Sequence, residues 1–375
     1  MSFTSFIPPK RTLMGPGPSD ISPQVLSALS RPTIGHLDPL FINMMDEVKS
    51  LLQYAFQTKN EITLAVSAPG SAGMEACFVN LVEPGEKVIV CINGVFGMRM
   101  KENAERVGGN VVTVDGEWGR AVDPAQLESV LADNPDAKFV AFVHAETSTG
   151  ALSDAQTLCA IAKQYDCITI VDAVTSLGGV ELRVDDWQID AIYSGSQKCL
   201  SCVPGLSPVS FSPIAVEKIK ARKTKVQSWF LDQTLVMDYW ANNAGGKRSY
   251  HHTAPVNSLY ALHEALVALH NEGLENAWTR HKAQHDVLAE GLEALGIKFI
   301  VPASERLPQL NAVYIPEGKD DAQIRAYLLD HYNLEIGAGL GAFAGKAWRI
   351  GLMGYAAKNE NVLLCLAALK DALSK

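Results

Sequence analysis

No apolar stretch of the chain approaches the roughly 18 residues that a membrane-crossing helix needs, and Met1 to Arg11 holds no apolar segment resembling a signal peptide. Basic runs are missing too. With 32 basic and 41 acidic residues the net charge is −9, which argues against a nucleic-acid surface. Cysteine is scarce and odd in number: seven residues, scattered mostly within apolar runs. That pattern suits free thiols in a reducing cytoplasm rather than a disulfide framework. Nucleotide fingerprints are also lacking. Gly70 and Gly73 do not make G-x-G-x-x-G, and the glycine-rich stretch before Lys346 has Leu340 and Ala347 where a P-loop needs glycine and Ser/Thr. What is plentiful is apolar residue. Hydrophobic content of 47% against 19% charged, over 375 residues, describes a well-buried globular chain of two domains.

The pattern along the chain alternates strand and helix. Met1 to Asp20 has no periodicity and carries Gly15-Pro16-Gly17-Pro18, so it reads as an extended arm (residues 1–20). A short helix follows from Pro23 to Leu29, opened by a Ser22 cap and a proline in the first turn. Asp38 to Gln57 repeats apolar residues at helical spacing. Strands are expected at Ile62–Val66, Lys87–Ile92, Val111–Val114, Phe139–Val143, Cys167–Asp172, Ile189–Tyr193 and near Pro208–Phe211, most of them separated by helices. That order predicts an α/β fold: a mainly parallel sheet of seven strands with helices on both faces, spanning residues 21–255. Beyond it the pattern shortens. Strands at Ile297–Val301, Asn311–Ile315 and Trp348–Ile350, with helices between, suggest a smaller α+β domain over residues 256–375.

Chemistry concentrates where strands end. Ser194-Gly195-Ser196-Gln197-Lys198 is a polar turn after a buried strand, and it presents one lysine. An open α/β sheet binds its ligand at such strand ends. A lysine amine in a dry pocket can shed its proton and form a Schiff base with an aldehyde. The preceding strand ends in Asp172. A lysine for an aldehyde, paired with a carboxylate for a ring nitrogen, is the set that pyridoxal phosphate requires. Ser67 to Gly73, small residues between a strand and a helix that includes Met74, would offer backbone N–H groups to a phosphate. Phe96, between glycines, could stack on a flat ring; the hydroxyls of Glu146-Thr147-Ser148-Thr149 could meet a phenolic oxygen. His144 with Glu146 lacks a convincing third ligand, so no metal is expected. The Cys199-x-x-Cys202 pair has no second half-site and does not open a thioredoxin-like helix. His251 and His252 are adjacent, and in a helix or strand neighbours cannot face one point. Arg349 stands in an apolar strand, where a guanidinium needs an anion, and its fork matches a carboxylate.

Taken together, Val171-Asp172, Tyr193-Ser194-Gly195-Ser196-Gln197-Lys198, Tyr250-His251-His252-Thr253 and Arg349-Ile350-Gly351 resemble the class V, fold-type I aminotransferases. The similarity is to the alanine–glyoxylate and serine–pyruvate group, and it covers essentially the whole chain. The resemblance implies the pyridoxal-phosphate fold, with Lys198 binding the cofactor and Asp172 pairing with its ring nitrogen. It implies Thr147 at the cofactor oxygen, Val174 and Phe96 against the ring, and Ser71, Ala72 and Gln197 at the phosphate. Tyr250 and Thr253 would reach that phosphate from the other subunit of a homodimer, and Gly17 and Arg349 would meet the substrate. Phe96 stands where relatives often carry tryptophan, and the Ser67–Gly73 loop has less glycine than theirs. The implied reaction moves an amino group between L-serine or L-alanine and glyoxylate or pyruvate. Related enzymes acting on ureidoglycine, hydroxykynurenine or aminoethylphosphonate are alternatives, as is a non-catalytic subunit of the same fold. A cysteine desulfurase-like lyase would usually place histidine directly before the lysine, where this chain has Gln197.

Overall fold

The computed structural model describes residues 3–240 and 248–375. The start of the polar stretch that runs from Gly245 to Thr253, which the sequence suits to a phosphate or a subunit boundary, lies outside the described residues. Seven strands make the main sheet: β1 (Ile62–Val66), β2 (Lys87–Ile92), β3 (Asn110–Asp115), β4 (Phe139–Val143), β5 (Ile168–Asp172), β6 (Ala191–Tyr193) and β7 (Ser207–Phe211). Their order across the sheet is β1-β7-β6-β5-β4-β2-β3. Only β7 runs against its neighbours; the rest are parallel in direction. Strands such as β4, Phe-Val-Ala-Phe-Val, are buried at every position, as expected of a parallel strand covered on both faces.

The helices begin where the local chemistry tells them to. The Ser22 side chain accepts from the Val25 N–H at 3.3 Å, with Pro23 in the first turn of α1 (Pro23–Leu29). Asp38 does the same for Leu40 at 2.8 Å ahead of α2 (Pro39–Phe56). Two more helices matter to the site. α3 (Gly70–Leu81) starts earlier than its apolar face suggested, because Gly70 to Gly73 are its first turn. α4 (Val95–Arg106) follows β2.

Two larger hydrophobic clusters hold the chain. One surrounds the sheet and extends through α5 (Val256–Glu272) as far as Ala277 in α6 (Leu274–Ala294). The other takes in Met14 and, from Leu288 on, packs α7 (Asp321–Tyr332) and α8 (Asn359–Leu373) with a three-stranded antiparallel sheet. That sheet is ordered β8-β10-β9, from β8 (Leu310–Tyr314), β9 (Gly337–Ala338) and β10 (Ala347–Gly351). The strand expected at Ile297–Val301 does not form; Phe299 makes one isolated bridge to Val313. Among the described residues no helix is long and apolar enough to cross a membrane.

The amino-terminal segment ties the two parts together. Thr12 and Leu13 run parallel to Leu334 and Glu335, and the Gly351 N–H donates to the Met14 carbonyl at 2.8 Å. Five residues on, the Ser19 N–H donates to the Gln197 carbonyl at 2.9 Å and its hydroxyl to the Lys198 carbonyl at 2.8 Å. A Cβ on Gly351 would run into the Gly15 carbonyl. Gly351→Ala should therefore lower the unfolding free energy by about 1–3 kcal/mol, the usual penalty of overpacking. Urea titration of the wild type and variant measures it; equal midpoints would show that the segment is not held as described.

Candidate active site

The parallel register sets the site. Asp172 is the last residue of β5 and stands opposite Tyr193, the last residue of β6. One Asp172 oxygen accepts the Tyr193 hydroxyl at 2.7 Å, and the other accepts the Val174 N–H at 2.8 Å. Both bonds favour the carboxylate, yet burial outweighs them and lifts the Asp172 pKa to about 7. The Tyr193 partnership was not read from the sequence. A tyrosine ending a strand beside one that ends in aspartate was the available signal.

Lys198 lies just past β6 and is only 9% exposed. Its Nζ donates to the Pro16 carbonyl. A Cβ on Gly17, whose φ is +103°, would sit 2.6 Å from that Nζ, so glycine there leaves room for the amine. Burial, and then the positive charge of Arg349, hold the Lys198 pKa down at about 8. The amine is thus half unprotonated at about pH 8, well below where an exposed lysine reaches that point.

A cavity of about 210 Å³ opens beside these groups. Ser71, Phe96, Asp172, Val174, Gln197 and Lys198 all line it, together with Pro69, Met74, Arg99 and Tyr193. Ala72 adjoins it in the first turn of α3. That helix has Pro69 at its N-cap and no side-chain cap bond; the Ala72 N–H donates to the Pro69 carbonyl at 2.7 Å, and the Gly70 and Ser71 N–H groups, with the helix dipole, face an anion. The Gln197 side-chain oxygen is buried without a partner. A lysine amine, a fixed carboxylate, an aromatic ring and an uncapped helix end in one cavity are the groups that pyridoxal phosphate needs, and the residues fit it.

Arg349 lies in β10, half-buried. Its Nε donates to the Ala338 carbonyl at 2.7 Å and its Nη1 to the Thr147 carbonyl at 3.3 Å. Neither partner carries charge. No ion pair to Arg349 forms among the described residues, whereas many surface arginines have one.

Tyr250 and Thr253 do not line this cavity; both are exposed. Between them the chain is neither helix nor strand, which lets His251 and His252 turn their Nδ1 atoms to 2.8 Å of each other. The expectation that such neighbours cannot meet fails for that reason. His252 Nε2 also lies 2.7 Å from the Ser67 hydroxyl, at the end of β1. His144 is buried edge-on to Trp187, and burial lowers its pKa to about 4. Cys199 and Cys202 are buried thiols, pushed up to about 12.

Comparison with known proteins agrees with this geometry. The aminotransferase class-V family model matches residues 20–362. An alanine–glyoxylate aminotransferase of Rattus norvegicus is 42% identical over 366 residues, 97% of this chain and 88% of that protein. A crystal structure of an alanine–glyoxylate aminotransferase from Nostoc sp. superposes with a TM-score of 0.96 at 43% identity, covering 100% of this chain and 98% of the other. The ureidoglycine–glyoxylate aminotransferase of Bacillus subtilis also reaches 0.96, at 37% identity over 99% and 95% of the two chains. With its lysine, carboxylate and anion-ready helix end around one cavity, the chain belongs to the pyridoxal-phosphate-dependent class V aminotransferases.

Proposed function

We propose that the enzyme transfers the amino group of a small amino acid, L-alanine or L-serine, to a small 2-oxo acid, glyoxylate or pyruvate. The observation that carries the reading is the uncommitted guanidinium of Arg349, near enough to depress the Lys198 pKa. A half-buried cation whose only bonds are to carbonyls is poised for a carboxylate, and both substrates of a transamination carry one. Glyoxylate is named in all three relatives above, so the acceptor side has the firmer support; ureidoglycine is the second candidate for the donor.

When bound, pyridoxal phosphate supplies an aldehyde for the amino group and a ring that accepts the electrons released at Cα. Ser71, Ala72 and Gln197 would hold its phosphate at the start of α3, Phe96 and Val174 would contact its ring, and Thr147 would serve its oxygen. Asp172, fixed by Tyr193 and the Val174 N–H, would meet the ring nitrogen. Arg349 orients the substrate carboxylate over the Gly17 backbone. Lys198 Nζ takes the Cα proton as base and returns it as acid, which its depressed pKa permits near neutral pH. The active form is a homodimer in which Tyr250 and Thr253 serve the partner's phosphate site. Their exposure, beside exposed Trp229 and half-exposed Phe230, supports that placement. Seven buried free thiols support a cytoplasmic setting.

The test is the visible spectrum of the purified protein. L-alanine or L-serine should bleach the yellow band, and glyoxylate should restore it; a band that never responds to a small amino acid overturns the reading. Lys198→Ala should abolish turnover in a folded protein, and wild-type-like transamination by that variant would sink the assignment. The pH dependence has a sign. Loading of cofactor onto the apoprotein needs the neutral amine, so its rate should climb with pH through a midpoint near 8. Arg349→Gln removes a positive neighbour, so that midpoint should move to higher pH. The same change should raise KM for the 2-oxo acid about thirtyfold or more, the effect of unpairing a buried charge contact. An unmoved midpoint and an unchanged KM would remove Arg349 from the site.

A further inference from the structure

Glu146 has no task in the reaction as described, yet it is fully buried one residue from Thr147. Its carboxylate is the hub of a small network. One oxygen accepts the Phe96 N–H at 3.1 Å and the Gly97 N–H at 3.4 Å. The other accepts the Ser148 N–H at 3.0 Å and the Ser148 hydroxyl at 2.6 Å. That hydroxyl in turn accepts the Val95 N–H at 2.9 Å. Three successive N–H groups of the first turn of α4 are thus taken up from the 146–148 turn, although the helix's own N-cap, Gly94, offers no side chain. A Cβ on Gly94 would strike the Glu146 carboxylate, so the close approach requires glycine there.

The consequence is geometric. Phe96 and Thr147 sit on different elements, and the Glu146 carboxylate is the direct bridge between the two backbones. Thr147 also passes the connection on, since its carbonyl accepts from Arg349 Nη1. Glu146 is the one carboxylate whose charge bears on Arg349, while standing outside ion-pair distance and leaving the guanidinium uncommitted. A carboxylate bonded to helix N–H groups in a dry interior is held far more firmly than one on the surface.

We propose that Glu146 is a positioning residue: it locks the Phe96 ring and the Thr147 turn into one fixed arrangement around the cofactor and acts through them rather than on the reacting atoms. This rests on the site reading above and deepens it. Glutamine is nearly isosteric, but its NH2 group must face backbone N–H donors on one side or the other, so the backbone bonds on that side are lost.

The test uses Glu146→Gln with Glu146→Asp and Ser148→Ala, checked as folded by far-UV circular dichroism. Cofactor affinity is read from fluorescence quenching of the apoprotein, and ring placement from visible circular dichroism of the bound cofactor. Glu146→Gln should weaken cofactor binding about tenfold, the effect of one or two buried hydrogen bonds, and alter the visible band. Glu146→Asp should recover part of both, which simple destabilisation would not. If Glu146→Gln does not fold, Ser148→Ala is the measurement, with an expected loss of about threefold. Unchanged affinity and an unchanged band in the folded variant overturn the proposal. The outcome is separable from the site reading: if Lys198→Ala keeps its turnover the reading fails, whereas a wild type that needs Lys198 beside an unaffected Glu146→Gln fails only this inference.

Discussion

An amine kept from water is the constraint on which the rest of the structure depends. Lys198 must stay buried enough to lose its proton near neutrality, and no single element can bury it. The sheet supplies the floor, because β6 ends five residues earlier and its neighbour β5 brings Asp172 alongside. The cover comes from the least regular part of the chain. Pro16, Gly17 and Ser19 lie on the lysine turn, while Thr12 to Met14 are bonded into the smaller unit. One unperiodic segment thereby holds the catalytic turn and the strand bearing Arg349 at a fixed separation. The electrostatic result is mutual: Arg349 lowers the affinity of Lys198 for its proton. The cation that suits a substrate carboxylate also helps prepare the base.

Much of this was legible because it is local. The caps of α1 and α2 need only the residues within a turn, and the structure has both. The apolar runs of the main sheet need only burial on both faces, which Phe139–Val143 and Ile168–Asp172 have. The failures are just as physical. Ile297–Val301 has a strand's composition but pairs only briefly: around the Phe299–Val313 bridge the Ile300 N–H donates to the Ala312 carbonyl at 3.0 Å and the Tyr314 N–H to the Lys298 carbonyl at 2.8 Å, too short a run for a strand. Gly70 to Gly73 carry poor helix formers, and propensity alone would leave them as loop; tertiary packing winds them into α3, where a Cβ on Gly73 would collide with Ser207. His251 and His252 misled because the argument presumed regular backbone. The Tyr193–Asp172 bond and the Glu146 contacts to α4 join residues 21 and 50 apart in sequence, and only the first left a signal, in the paired strand ends. Packing also crosses residue 255: α5 lies against α1 and α2 within the sheet-side cluster.

Two helices direct their N-termini to the neighbourhood of the cavity, and the chain treats them oppositely. α4 has its first N–H groups engaged by Glu146 and Ser148, so its half-charge already meets a carboxylate from within. α3 has a proline at its N-cap and no side-chain cap. An anion entering this cavity therefore meets one satisfied helix end and one that is open. Helix dipoles are alike in strength, so what distinguishes the two ends is which residues precede them: Pro69, which cannot cap, and Gly94, which makes room for a carboxylate that does. The same substitution of an internal carboxylate for a missing cap that fixes the Phe96 ring also removes the competing anion site. A phosphate placed as proposed above, on the side of Ser71 and Gln197, would therefore meet the helix end that carries no side-chain cap.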